Sequence, residues 1–378
     1  MAEPNLVKAQ GVDPVAWQRV TDLQDQLCAD GLLPACALFV ARGGQTFGQH
    51  FSGRQSPAAD SPPLRDDAIF LIASITKPVV VMAILKLVEE AHFTLNDRVA
   101  DLVPEFGRNG KYAITIRHLL THTSGLPDML PNNRELRASH QPLEAFIEET
   151  CGIATDFPAG RSVQYLSMGI AMLADIIRRV TGRTLSQCLQ DTYFRPLDMH
   201  ETSLGAPNTW FEGSNPKADR IAQIRVPEEQ QDTDWGWNSR YWLQFGAPWG
   251  GLLTTPSDLA KFAQAMLEGG AFGSVRILST SSIAAATQNQ LQAFADIPEP
   301  ERRTRPWGFG WRLSWPTHSS SFGDLVGPRT YGHWGATGTM LWIDPDQQLF
   351  TILFSTEPHK TSGRHLIRLS NAIVAAAH

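Results

Sequence analysis

Cysteine is scarce in this chain: four in 378 residues, at positions 28, 36, 151 and 188, with none of the paired spacings that hold zinc or an iron–sulfur cluster. In so long a chain they read as buried thiols. Long apolar runs are missing too, so no window approaches the ~20 residues that a transmembrane helix needs. Neither sign of charge dominates. The 32 Lys and Arg against 38 Asp and Glu leave a net charge of −6, which gives no reason to expect nucleic acid or an anionic membrane as partner. No repeat of useful length is visible. The first eight residues lack the basic-then-apolar order of a signal peptide, which predicts a cytoplasmic protein, or a periplasmic or secreted one if a leader has been removed. A G-x-S-x-G elbow is absent, which sets aside the α/β-hydrolases.

What the chain does have is ample core, with 42% hydrophobic and 19% charged residues. Its organising stretch runs from Phe70 to Val88. From Val79 onward every residue except Lys86 is apolar, the mark of a helix buried on all sides. Pro78 is tolerated only in a first turn, so the helix starts close to Ser74. Residues three apart share a helix face, so Ser74 Oγ and Lys77 Nζ can meet at its mouth. A neutral, desolvated amine there can take the hydroxyl proton, and helix-end amides favour developing negative charge.

Around this stretch, Asp13-Pro14 opens a helix closed by Gly31, and the segments 35–41 and 46–51 flank a glycine turn as a β-hairpin. Short helices follow at 95–104 and 116–121, the second running into Thr123-Ser124-Gly125-Leu126-Pro127. Further helices are expected at 143–149, from Tyr165 to Val180, and from Pro256 to Leu267. Residues 208–251 read as irregular and tryptophan-rich. Strands return at 308–313, 331–335, 339–343 and 349–355, and a helix over about 365–376 closes the chain. Strands at both ends thus bracket a mostly helical middle. They are expected to pair in one antiparallel sheet flanked by the first and last helices, an α/β (α+β) domain. The sheet lobe would comprise about 12–68 and 305–378, the helical lobe about 69–304, with a cleft between them.

Three stretches could meet in that cleft: Ser74-Ile75-Thr76-Lys77, Tyr165-Leu166-Ser167 and His333-Trp334-Gly335. Together they resemble, in order, the S-x-x-K, Y-x-N and K/H-x-G motifs of the serine β-lactamase and penicillin-binding-protein superfamily. The resemblance is closest to the class C β-lactamase-related branch of carboxylesterases and D-amino peptidases. It extends over about residues 12–375, including the flanks 114–126, 157–160, 250–258 and 331–339.

The resemblance implies a β-lactamase-like fold in a single catalytic domain and the following roles. Ser74 is the acylated nucleophile, Lys77 shuttles or accepts its proton, and Tyr165 stands where a phenolate general base is expected. The amides of Ser74 and Ala336 form an oxyanion hole. Ser167 replaces the family asparagine and His333 the family lysine. Both changes remove polar features that hold carboxylate-bearing amides, so a neutral ester is the expected substrate, and the chain reads as a carboxylesterase for small or medium esters. The alternatives are β-lactamase, D-alanyl carboxypeptidase or D-amino peptidase activity, or a penicillin-binding-like protein that binds without turnover. Trp237 and Trp249, with Trp334 and Gly335, are expected to line the substrate pocket. His118 and His122 lie four apart but lack the intervening glutamate of H-E-x-x-H, so neither metal nor cofactor is expected. The partner is a small ester or amide.

Overall fold

A computed structural model describes residues 13–315 and 322–377. The first eight residues, on which the localisation reading rests, lie outside them. Helix α1 (Pro14–Ala29) begins where Asp13 accepts hydrogen bonds from the Val15 and Ala16 amides, with proline at the position where a missing N–H costs nothing. Strands β1 (Ala35–Arg42) and β2 (Gln45–Gly53) form the expected hairpin. The long buried helix is α2 (Thr76–Glu89), followed by α3 (Met168–Thr181) and α4 (Pro256–Leu267). The last part of the chain forms β3 (Arg312–Leu313), β4 (Tyr331–Gly335), β5 (Thr339–Asp344), β6 (Leu349–Ser355) and α5 (His359–Ala376).

These six strands make one antiparallel sheet in the order β2-β1-β6-β5-β4-β3. The hairpin from the start of the chain thus joins the strands from its end through β1 and β6, with Phe39 opposite Ile352. Both faces are covered. Ala37, Phe39, Leu341, Ile352 and Phe354 face the main core. Leu38, Val40, Met340, Trp342 and Leu353 face a second core under α1 and α5. That is why β1, β5 and β6 read as continuous apolar runs and not as alternating ones.

Three expectations differ from the structure. Only Arg312 and Leu313 of the 308–313 segment pair as a strand. Before them the chain turns, with the amides of Phe309 and Gly310 donating to Ala286 O and Leu120 O, and Gly310 at φ +70°. The last helix also starts six residues earlier than expected, at His359. Gly363 sits within it because a Cβ there would meet His359 Cε1 at 2.9 Å. The 208–251 stretch is less irregular than expected, since Ser239 caps a short helix over Arg240–Phe245.

On the main-core side of the sheet α2 is the central helix. Its residues Thr76 to Leu85 and Leu87 are all buried, and burying each large apolar side chain contributes about 1.5–3 kcal/mol. A second, three-stranded sheet of Phe70–Leu71, Leu252–Thr254 and Ser203–Leu204 holds the approach to α2. The Ile72 amide donates to Leu252 O at 3.0 Å, and the Leu252 amide donates to Thr76 Oγ1 at 3.1 Å. Among the described residues no helix is long and apolar enough to cross a membrane.

Candidate active site

Ser74 lies in a single 3-10 turn, Ala73–Ile75, that feeds into α2. Ala73 before it has φ +46°, a left-handed conformation that costs a non-glycine residue about 1 kcal/mol or more. The surrounding structure enforces it. Leu252 clamps the chain on one side, and Thr337 and Thr339 clamp it on the other, their hydroxyls donating to Leu71 O at 2.7 Å and Ile72 O at 2.9 Å. Thr337 follows the end of β4 and Thr339 opens β5, so the third motif is tied directly to the strand ahead of Ser74. Gly335 fits there because any side chain would run into Ile72 O and Thr339 Oγ1. Ala336, the next residue, is thereby brought beside the Ser74 turn.

Lys77 is 1% exposed. Its amine donates to Ser74 Oγ at 2.9 Å and to Trp249 O at 3.0 Å. Burial lowers its pKa from 10.5 to about 7, against the pull of the Asp128 carboxylate, which favours the ammonium. A substantial fraction of Lys77 is therefore a neutral amine near neutral pH.

Tyr165 precedes α3 by three residues, and Lys77 Nζ lies 4.6 Å from its ring centroid. Its hydroxyl is buried and turned toward Ser74, the neighbour that favours its phenolate, yet it completes no hydrogen bond. Burial dominates and raises the phenol above its usual pKa; Asp128 adds to this and Arg312 opposes it. Lys77 lies over the ring, and Arg312, the cation that favours the phenolate, is outweighed by burial.

His333 is fully buried. Its Nδ1 lies 2.7 Å from Trp334 O, which makes that nitrogen the protonated one and leaves Nε2 as an acceptor without a partner. Burial, then Lys77, then Arg312 hold its pKa well below 6.5, so the ring is neutral. The Tyr165 and His333 rings are 5.9 Å apart, and Trp307 sits 5.9 Å from both.

Four contributors escaped the sequence reading. Arg312, aimed by the turn at Gly310, has its guanidinium 4.7 Å from the Trp307 ring centre and 5.1 Å from that of Trp334. Its Nε is buried and unpartnered, and burial lowers its pKa to about 10. Trp307 itself is the second. His122 is the third; its spacing from His118 suggests only a metal pair. The two histidines are placed for different tasks. His118 Nδ1 accepts the Thr115 amide in a helix-capping box at 3.0 Å. His122, at φ +59°, packs its ring 5.0 Å from Tyr165 and 4.2 Å from Trp307. The described residues contain no cluster of three or more His, Cys, Asp or Glu arranged to hold a metal ion. Asp128 is the fourth. Its carboxylate accepts the Ser167 hydroxyl at 2.6 Å, and its carbonyl accepts the Ser167 amide at 3.1 Å. Ser167 is thereby committed to the protein.

The tryptophan expectations need correction in part. Trp334 is half-buried and stacked on His359 at 4.3 Å, with the Arg312 guanidinium on its ring. Trp249 reaches the site through its carbonyl, while its ring is 5% exposed and packs on Phe146 and Phe245 in the main core. Trp237 is half-buried against the edge of that core. Trp235 and Trp242 pack around the Arg137 guanidinium at 5.0 and 3.9 Å. The density of tryptophan between 210 and 249 thus serves mostly packing.

The family model described as Beta-lactamase matches residues 20–375. An Escherichia coli (strain K12) protein, provisionally named a D-alanyl-D-alanine carboxypeptidase, is 27% identical over 300 residues, 73% of this chain and 66% of that protein. This chain therefore spans a little less than two thirds of that relative. Among solved structures, a penicillin-binding protein homologue from Caulobacter crescentus superposes with a TM-score of 0.78 at 23% identity, over 97% of this chain and 99% of that one. A family VIII carboxylesterase superposes with a TM-score of 0.72 at 21% identity, over 96% and 98%.

Proposed function

Because this chain belongs to the β-lactamase family of serine hydrolases, we propose that it is a carboxylesterase working through an acyl-enzyme on Ser74. The observation that carries this reading is the buried Lys77 amine, 2.9 Å from Ser74 Oγ and neutral in a substantial fraction of molecules near pH 7. Lys77 takes the hydroxyl proton as Oγ attacks the ester carbonyl. The carbonyl oxygen becomes an oxyanion against the amides of Ser74 and Ala336. Collapse of the tetrahedral intermediate breaks the bond to the alcohol, which leaves with a proton returned from Lys77. Tyr165, held as a phenol by burial, keeps its hydroxyl beside Ser74 and the departing oxygen. Water then repeats the sequence on the acyl-enzyme and releases the acid.

An ester is favoured over an amide by two features. Ser167 spends its hydroxyl on Asp128, so it does not offer the substrate what the family asparagine would. His333 is neutral and supplies no fixed charge for a carboxylate. Arg312 supports a second reading, hydrolysis of carboxylate-bearing lactams or peptides, because its guanidinium sits beside Trp334 with Nε unpartnered.

A fluorophosphonate should label Ser74, and Ser74→Ala should abolish both labelling and turnover. For the intact enzyme, kcat/KM for p-nitrophenyl acetate or butyrate should exceed that for a cephalosporin by orders of magnitude. Label found elsewhere sinks the mechanism, and a preference for the cephalosporin or a D-alanyl peptide promotes the second reading.

A further inference from the structure

Tyr165 stands in a stretch without regular structure. Residues 162–166 belong to no helix or strand, so no ladder of backbone bonds fixes them, and a hydroxyl turned toward Ser74 needs another anchor. The amides on either side of Tyr165 both go to one residue. Gln164 N–H donates to the His122 carbonyl at 2.9 Å, and Leu166 N–H donates to His122 Nδ1 at 3.3 Å. The His122 ring itself lies 5.0 Å from the tyrosine ring. Val163, two residues before Tyr165, is tied elsewhere: its amide donates to Glu301 Oε2 at 3.3 Å and its carbonyl accepts from Arg305 at 3.2 Å.

His122 is itself firmly placed. It is fully buried and follows the short helix Ile116–Leu120 with a left-handed backbone, φ +59°. The next residue locks the turn on both sides. The Thr123 amide donates to His118 O at 3.0 Å, and the Thr123 carbonyl accepts the Gly160 amide at 2.8 Å. One residue thus spends its main chain and its ring on the same three-residue stretch. Because Nδ1 accepts from Leu166, the ring proton sits on Nε2, and a ring protonated at both nitrogens could not make this bond. Nε2 has no partner, so the nitrogen that ties the ring to the second motif is Nδ1.

We propose that His122 is a positioning residue for the reaction: through its carbonyl and Nδ1 it brackets Tyr165 and keeps the tyrosine hydroxyl beside Ser74. The proposal rests on the acyl-enzyme reading above and adds to it a residue that acts through Tyr165 and not on the substrate. It also gives the unusual backbone of His122 a task, since the left-handed turn lets carbonyl and ring serve neighbouring amides of one segment.

The test uses the full chain with p-nitrophenyl butyrate as substrate. An asparagine at 122 sets an oxygen as many bonds from the backbone as Nδ1 and tolerates a left-handed backbone. A glutamine sets its amide one bond farther out, where Nε2 stands, and an alanine has neither. His122→Ala and His122→Gln should each lower kcat by about 10²-fold, the cost of a misplaced catalytic group, with KM kept within about twofold. His122→Asn should recover most of that loss. In a Tyr165→Phe background, where the hydroxyl is gone, adding His122→Gln should lower kcat by less than about threefold, because the two residues act as a unit. Equal losses in the two backgrounds, or an asparagine variant as slow as the glutamine one, overturn the proposal and leave His122 as a packed core histidine. Tyr165→Phe with the parent kcat overturns it as well, since His122 would then have nothing to act through. Should the alanine variant fail to fold, the comparison of asparagine with glutamine decides alone. Should no ester turn over, the rate of Ser74 phosphonylation by a fluorophosphonate takes the place of kcat. Equal labelling rates for the asparagine and glutamine variants defeat the positioning role alone, whereas no labelling of Ser74 in the parent defeats the acyl-enzyme reading and the role with it.

Discussion

Replacing Lys77 by methionine should remove activity and, at low pH, make the protein more stable. Methionine matches the length of the lysine stem and fills irregular space well, so packing around α2 is kept. The gain comes from proton linkage. Burial lowers the Lys77 pKa from 10.5 to about 7, and at ~1.4 kcal/mol per tenfold change in proton affinity this is roughly 5 kcal/mol. A lysine lowered by folding destabilises: the deficit is full below pH 7, where the buried amine is charged, and disappears as pH rises toward 10.5. Against this, the variant loses hydrogen bonds to Ser74 Oγ and Trp249 O and leaves a buried carbonyl unpaired, a loss of about 2–4 kcal/mol in all. The balance favours the variant by about 2 kcal/mol at pH 6. With an unfolding entropy of roughly 2 cal/mol/K per residue, that raises Tm by about 2–3 °C. The difference should shrink with rising pH and change sign by about pH 9. Scanning calorimetry at three pH values is sufficient. A Tm difference that does not depend on pH would refute the buried, depressed amine and the proton-transfer role built on it.

Two further outcomes follow from the same geometry. The rate should rise with pH through a single acid limb near 7 as Lys77 loses its proton, and Tyr165→Phe should lower the rate while leaving that limb in place; a limb that moves or vanishes in Tyr165→Phe would assign it to the tyrosine instead. Gly335→Ala should reduce kcat by about 10²-fold or more, because the added methyl forces β4 away from Ile72 and spoils the meeting of Ala336 with Ser74, and circular dichroism and a kinetic assay together would separate this from global unfolding.

The parts of the site that were legible in the sequence are those fixed by local chain geometry. Ser74 and Lys77 were joined by helical spacing, and the helix start was bounded by Pro78. Strands β1, β5 and β6 announced themselves as apolar runs because both of their faces are buried. The residues that were missed depend on tertiary pairing. Arg312 reaches the site only because β3 lies opposite β4 with Arg312 across from Gly332, a register no local pattern encodes. Trp249, expected for its ring, contributes instead a carbonyl, which every residue possesses. His122 lies within the 114–126 segment, but its placement follows from a left-handed backbone that turns its ring toward Tyr165. Asp128 is distinguished only by its bond to Ser167.

The pairing of β1 with β6 has a consequence for how the protein comes into being. The Asp13 amide donates to Ala376 O, and the hairpin's partner strand lies about 300 residues downstream of it. At a ribosomal pace of about 5–20 residues per second, the hairpin is exposed for roughly 15–60 s before β6 exists. During that interval one edge of β1 is unpaired and both its faces are bare, which makes the nascent chain a template for unwanted strand pairing. Ser74 and Lys77 are already translated by then, yet Thr337 and Thr339, which hold the nucleophile turn in shape, are not. The turn that carries the Ser74 hydroxyl takes its shape only when these later strands close the sheet, so the growing chain lacks the assembled site until β5 and β6 have been made.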